Sequence, residues 1–136
     1  MDKASTGRVT AYTRFAQIIV GLMGVFYSLT GVALIFFPLW FFQNIGNFPP
    51  FNRHYEGDTG AFILALGIGL LAVIPMPAKH PWVIRIAALA SLFHAANHLY
   101  DAIILPSANA WAQTIALIVV GLLLVAASME RTASVR

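Results

Sequence analysis

The stretch Phe15–Pro38, FAQIIVGLMGVFYSLTGVALIFFP, carries no charged side chain, and its reading decides the class of fold. A helix needs about 20 apolar residues to cross the roughly 30 Å hydrocarbon layer of a bilayer, and this segment supplies them. It follows Lys3, Arg8 and Arg14, as the core of a signal peptide would. Signal cores, however, run about 7 to 15 residues and end at small side chains, whereas this run continues through Phe36, Phe37 and Pro38. Three more apolar blocks follow, Ala61–Met76, Trp82–Leu105 and Ala110–Met129. The second is the shortest and reaches spanning length only with its flank from Asp58. The four blocks predict an all-α, integral membrane four-helix bundle, a single domain over residues 1–136 with helices at about 14–38, 58–76, 82–104 and 110–129.

Composition agrees with lipid as the main solvent. Apolar residues make up 60% of the chain and charged residues 10%, against roughly 25% charged in an average soluble domain. The formal charge of +3 does not imply nucleic acid, because the basic residues are scattered rather than clustered on one face. Their placement reports topology. With the N-terminus inside, Lys3, Arg8, Arg14, Lys79, Arg85, Arg131 and Arg136 all fall on the cytoplasmic side and only Arg53 falls outside. The positive-inside rule therefore places both termini in the cytoplasm and the chain in a plasma (inner) membrane as a multi-pass protein. The absence of cysteine excludes disulfides, thiolate metal sites, cysteine-ligated iron–sulfur clusters and thiol nucleophiles.

Between the blocks the sequence predicts tight and loose connections in turn. Pro75-Met76-Pro77-Ala78-Lys79-His80-Pro81 forces a short antiparallel hairpin between the second and third blocks. The connection around Pro106–Asn109 is also short. The longer stretch Leu39–Gly57 is rich in aromatics, Trp40, Phe41, Phe42, Phe48, Phe51 and Tyr55, and is expected to lie along the membrane surface, with Pro49 and Pro50 interrupting any helix in it. Small residues mark the faces expected to pack: Gln17, Gly21, Gly24, Ser28 and Gly31 on the first helix, Ala61, Ala65 and Gly69 on the second, and Ala87, Ser91 and Ala95 on the third.

The polar residues gather at the non-cytoplasmic ends of the second and third helices. Counting about 100° per residue from His94, His98 falls at about +40°, Asp101 at about −20°, Asn97 at about −60°, Ser91 at about +60° and Ala87 at about +20°, with Arg85 at about 180°. His94 is thus expected to look into the protein, and Asp58 likewise, on the side of Ala61, Phe62, Ala65 and Gly69. Adding His54 and Glu56 from the preceding segment, three of the four histidines and three of the five acids converge on one face of the membrane. Histidines at i and i+4 with carboxylates from a neighbour make a first shell for zinc or a similar divalent transition metal. The expected ligands are His94, His98 and Asp58, with Asp101, Glu56 and His54 as alternates or as groups that orient the ligands. If His94 instead faces lipid, the expectation of that site fails.

Other readings compete. The same residues serve equally as a hydrogen-bond network joining two helices. A bis-histidine haem needs ligands on opposite faces of the macrocycle, which one helix face does not provide. A hydrolase built on Ser91 and His94 lacks an identifiable oxyanion donor. A proton path finds only Gln17 and Ser128 in the cytoplasmic halves. His80, before Pro81, reads as a solvated interfacial histidine, and Trp82 and Trp111 as interface anchors.

The glycine-rich first helix ending GVALIFFP (Gly31–Pro38), the segment GDTGAFILALGIGLL (Gly57–Leu71) and the overall four-helix length resemble small bacterial membrane proteins of the DoxX/DoxD-like type. Some members of that group are associated with thiosulfate–quinone oxidoreductase complexes. The resemblance implies a bacterial inner-membrane protein with a redox or quinone link. A second expectation, resting on the small-residue seams, is an accessory or structural subunit of a larger membrane complex, or a homo-oligomer, whose seams bind partner helices. The segments HYEGD (His54–Asp58) and HAANHLYD (His94–Asp101) match no motif of that group, so no residue roles are carried over from it.

Overall fold

The computed structural model describes residues 3–104 and 108–129, with side chains over 12–104 and 110–129. The side chains of Lys3 and Arg8, most of the connection around Pro106–Asn109, and the C-terminal Arg131 and Arg136 lie outside the described residues. Those described form five α-helices and no strand: α1 Lys3–Phe36, α2 Pro38–Asn44, α3 Arg53–Val73, α4 Pro81–Ile104 and α5 Ala108–Ser128. A 3-10 turn over Pro77–Lys79 joins α3 to α4, as its prolines lead one to expect.

Three of these helices are long and apolar enough to cross a membrane, in α1 (Tyr12–Phe36), α3 (Arg53–Val73) and α5 (Ala110–Ser128). This is the pattern of a membrane protein whose apolar helix faces meet lipid. Helix α4 is long enough, but His94, Asn97, His98 and Asp101 dilute its C-terminal half. Large apolar side chains stay uncovered along every long helix, among them Leu29, Phe62, Ile68, Phe93 and Leu122. In water such surfaces would aggregate; in lipid they need no cover.

The expected boundaries shift for local reasons. Asn52 caps α3, its Oδ1 accepting the backbone N–H of His54 at 3.0 Å and of Tyr55 at 3.3 Å, so the helix starts at Arg53 rather than near 58. Pro38 opens α2, a seven-residue helix within the aromatic stretch. It ends where Asn44 Nδ2 donates to the carbonyl of Trp40 at 2.7 Å. The rings of Phe42 and Phe51, 5.3 Å apart, then join α2 to the segment before α3.

The described residues fall into two compact units. The first comprises residues up to Val20 and from Val73 onward, the second Gly21–Ala72. In the second unit the C-terminal part of α1, from Gly21, runs antiparallel to α3, with glycine in the seam on both helices. A β-carbon on Gly31 would stand 2.6 Å from the Leu64 nitrogen, one on Gly60 2.9 Å from the Gly31 carbonyl oxygen, and one on Gly67 2.5 Å from the Ser28 nitrogen. Gly24–Gly31 and Gly60–Gly67 share a seven-residue spacing, two helical turns, which keeps each pair on one seam. This corrects the expected face of α3. The buried positions are Gly60, Gly67 and Leu70, while Ala61, Phe62, Ala65 and Asp58 are exposed and Gly69 is only half-buried. Glycine permits a closer backbone approach than alanine, and that closeness sets the face.

In the first unit α4 and α5 pair antiparallel. Gly121 of α5 takes the Leu92 side chain, whose Cδ2 would lie 2.6 Å from an added β-carbon, with the Ala88 carbonyl at 3.6 Å. The buried positions of α5, Ala110, Thr114, Gly121, Leu124, Ala127 and Ser128, lie on one face, related by steps of three, four and seven residues. Thr114 and Ser91, both buried, donate their hydroxyls to the carbonyls of Ala110 and Ala87 at 2.8 and 2.7 Å, so neither presents an unmade hydrogen bond to lipid. At the opposite end of this unit the Tyr12 hydroxyl donates to the Ala126 carbonyl, and Gln17 Nε2 reaches the Pro75 carbonyl at 3.5 Å. The first half of α1, the α3–α4 turn and the end of α5 therefore stand at one end of the unit.

Candidate functional site

The C-terminal half of α4 holds the chemistry. Its buried positions are Ile84, Ala87, Ala88, Ser91, Ala95, His98 and Ala102. At about 100° per residue they centre about 70° round the helix from His94. The expectation that His94 looks into the protein is therefore corrected: His98, 8% exposed, is the inward histidine, and His94 lies at the edge of the buried face and is exposed. Two rows of small residues run up α4, one through Ala87 and Ser91 and one through Ala88, Ala95 and Ala102. Both rows are buried, and Gly121 of α5 lies against the second at Ala88. Arg85 is exposed, as expected of a side chain that snorkels.

The two histidines meet. Their Nε2 atoms are 3.0 Å apart and their ring centroids 4.7 Å apart, with the rings inclined at 44°. His98 Nδ1 is fully covered by protein, so the ring is held with Nε2 toward His94. Such a separation suits one hydrogen bond between neutral imidazoles. It suits chelation as well, since two nitrogens at about 2.0–2.1 Å from a common ion stand roughly 2.9–3.4 Å apart as the angle between them opens from square to tetrahedral. Asp101, half-buried one turn beyond His98, is reached by Asn97 Nδ2 at 3.5 Å.

The residues expected from the other helix form a pair of their own in the second compact unit. Starting α3 at Arg53 places His54 and Asp58 at i and i+4 within that helix, with Nε2 to Oδ2 at 3.4 Å. Both are well exposed, with 77% and 59% of their side-chain surface free, and Asp58 lies about 160° from Gly60, away from the seam rather than inward. Glu56 is half-buried between them in sequence. Among the described residues no group of three or more His, Cys, Asp or Glu side chains is gathered closely enough to hold a metal ion. The described residues do bring together His94 with His98 and, within the other unit, His54 with Asp58. Ser91, weighed as a nucleophile, gives a hydrogen bond to its own helix backbone. His80 sits half-buried at the turn, its backbone N–H on the Pro77 carbonyl at 3.1 Å.

The sequence reading missed Asn52 as a helix cap. The signal was present, an asparagine directly after Pro-Pro-Phe and four residues before Glu56, but the charged run 53–58 reads as loop when apolar onset alone marks the helix.

No family model, no curated protein and no solved structure matches the chain.

Proposed function

We propose that this chain is a multi-pass inner-membrane protein that holds a divalent transition metal, zinc or a similar ion, on His94 and His98, on the non-cytoplasmic side. The observation that carries this reading is the 3.0 Å separation of the two Nε2 atoms on one helix, matched to cis ligation of a single ion. Both imidazoles must then offer Nε2 lone pairs. The ring that carries its proton on Nε2 moves it to Nδ1, and no proton is released. The pair fills two positions of the shell and leaves the others for a further protein group or an exchangeable ligand.

The topology belongs to the same reading. Helix α5 is apolar enough to cross the bilayer and α4 lies antiparallel along it, which supports a fourth crossing by α4 and hence a four-helix bundle. Arg14, Lys79 and Arg85 then lie toward the cytoplasm, and the outer end of α4 lies outside. A second reading, an accessory subunit of a larger membrane complex, draws on the uncovered polar face of α4, where His94 and Asn97 are exposed.

Elemental analysis of detergent-purified protein, made without a metal-binding tag and after incubation with zinc and desalting, tests the metal. Zinc retained by the wild type and lost in both His94→Ala and His98→Ala, with helicity unchanged, is the expected result. Equal zinc in all three proteins, or none in any, overturns it. Stable co-purification of larger subunits, unaffected by His94→Ala, would favour the second reading.

A further inference from the structure

The polar face of α4 is incomplete in one chain. His94 is exposed although it stands about 15 Å inside the last residue of α4, at about 1.5 Å per residue, deep in the hydrocarbon if α4 crosses. A polar ring left against lipid at that depth is costly, and polar residues in membrane helices normally face a partner or a cavity. Beside it Asn97 is exposed as well. The chelating pair also supplies only two ligands, where a closed zinc shell takes four.

We infer that a second copy of the chain covers this face, α4 against α4 about a twofold axis, and that His94 and His98 of both copies together make a four-imidazole site for one zinc-like ion. The inference rests on the metal reading above and extends it to the occupant of the open positions. Two features favour a second copy over any other cover. Twofold symmetry converts a pair of ligands into four with no further residue type, the same patch serving both sides. Charge closes in the same way: a divalent ion with the Asp101 of one chain leaves one net positive charge in a low-dielectric layer, whereas two chains bring two Asp101 carboxylates and leave none. Asn97, hydrogen-bonded to Asp101, lies on the face that would be covered. The symmetric site is coordinatively saturated, so the ion ties the two copies together and does not itself turn over substrate.

The experiment measures zinc content and protein mass together, on the full-length chain in detergent, by elemental analysis and light scattering with the detergent contribution subtracted. One zinc per two chains, at twice the chain mass, is expected. Chelator should return the protein to single chains, and His94→Ala should lose at least tenfold of the zinc and the dimer with it. The chain has no native cysteine, so Asn97→Cys supplies an independent reading: cross-linking between copies should require zinc, and Ile103→Cys, exposed on the opposite side of α4, should not cross-link. One zinc on each single chain overturns the dimer and leaves the metal reading standing. A dimer unchanged by chelator and by His94→Ala overturns the four-imidazole site. Absence of zinc overturns both.

Discussion

Gly67 lies so close beneath Ser28 that a β-carbon added to it would stand 2.5 Å from both the Ser28 nitrogen and its hydroxyl oxygen. Backbone cannot yield as a flexible side-chain tip can, so Gly67→Ala must part the α1 and α3 backbones. Gly31→Ala meets the Leu64 nitrogen at 2.6 Å and should act in the same way. Each is expected to cost about 1–3 kcal/mol, in the range of core overpacking. Gly57, also in α3, has nothing within 4 Å of such a carbon. Gly57→Ala should be neutral or stabilise by up to about 1 kcal/mol through helix propensity. Reversible unfolding in mixed detergent micelles measures all three. Equal effects at Gly57 and Gly67 would count against the seam.

Asn52 holds the start of α3 through two side-chain hydrogen bonds to the backbone. Asn52→Ala should cost about 0.5–2 kcal/mol, and Asn52→Asp should keep most of that cap. Amide hydrogen exchange at His54 and Tyr55 gives the local readout, since these are the N–H groups released. Faster exchange confined to this turn is expected, together with loosening of the His54–Asp58 pair. Unchanged exchange in the alanine variant would show that α3 starts later in the chain.

These residues also show what the sequence made legible. The apolar blocks gave the helices, because a run without charge from Phe15 to Pro38 has no other stable state in a bilayer. The faces were harder to read. In a soluble helix the apolar stripe marks the core, but in lipid both sides are apolar and the phase rests on small residues alone. Helix α3 has two such rows, Ala61, Ala65 and Gly69 against Gly60 and Gly67, and α4 has two as well. Sequence spacing does not rank them; on α3 the closer approach that glycine allows does, and on α4 both rows are buried, with His98 on the buried face and His94 at its edge. The i, i+4 contact of His94 and His98 was legible because it follows from helix geometry within one element. The pairing of His54 with Asp58 was hidden by the missed cap.

The Tyr12 hydroxyl donates to the Ala126 carbonyl close to the end of α5, a carbonyl that also accepts the Met129 N–H. Tyr12→Phe keeps the ring, which lies 5.9 Å from that of Phe15, and removes only the donor. The expected loss is about 0.5–1.5 kcal/mol, the net value of one hydrogen bond. Amide exchange near Met129 should accelerate, since the Met129 N–H bonds the same Ala126 carbonyl at 3.1 Å. A variant as stable as the wild type, with exchange unchanged, would mean that water replaces the hydroxyl at no cost.

The crossing of α4 is open to a direct test because the chain has no native cysteine. Single substitutions Asn47→Cys, Lys79→Cys and Met129→Cys place one thiol in the aromatic stretch, one in the α3–α4 turn and one at the end of α5. All three positions are exposed. If α5 crosses and α4 crosses beside it, Lys79 and Met129 lie on the same side, opposite Asn47. A membrane-impermeant maleimide added to intact cells should then label position 47 alone, and positions 79 and 129 only after permeabilisation. If α4 stays in one leaflet, its polar outer half never enters hydrocarbon, α5 alone separates the turn from Met129, and positions 79 and 129 label from opposite sides. In that arrangement His94 lies near water, its exposure costs little, and the physical reason for a second copy on this face disappears. The same labelling pattern thus decides the topology and whether the histidine pair sits at a depth where two chains must share it.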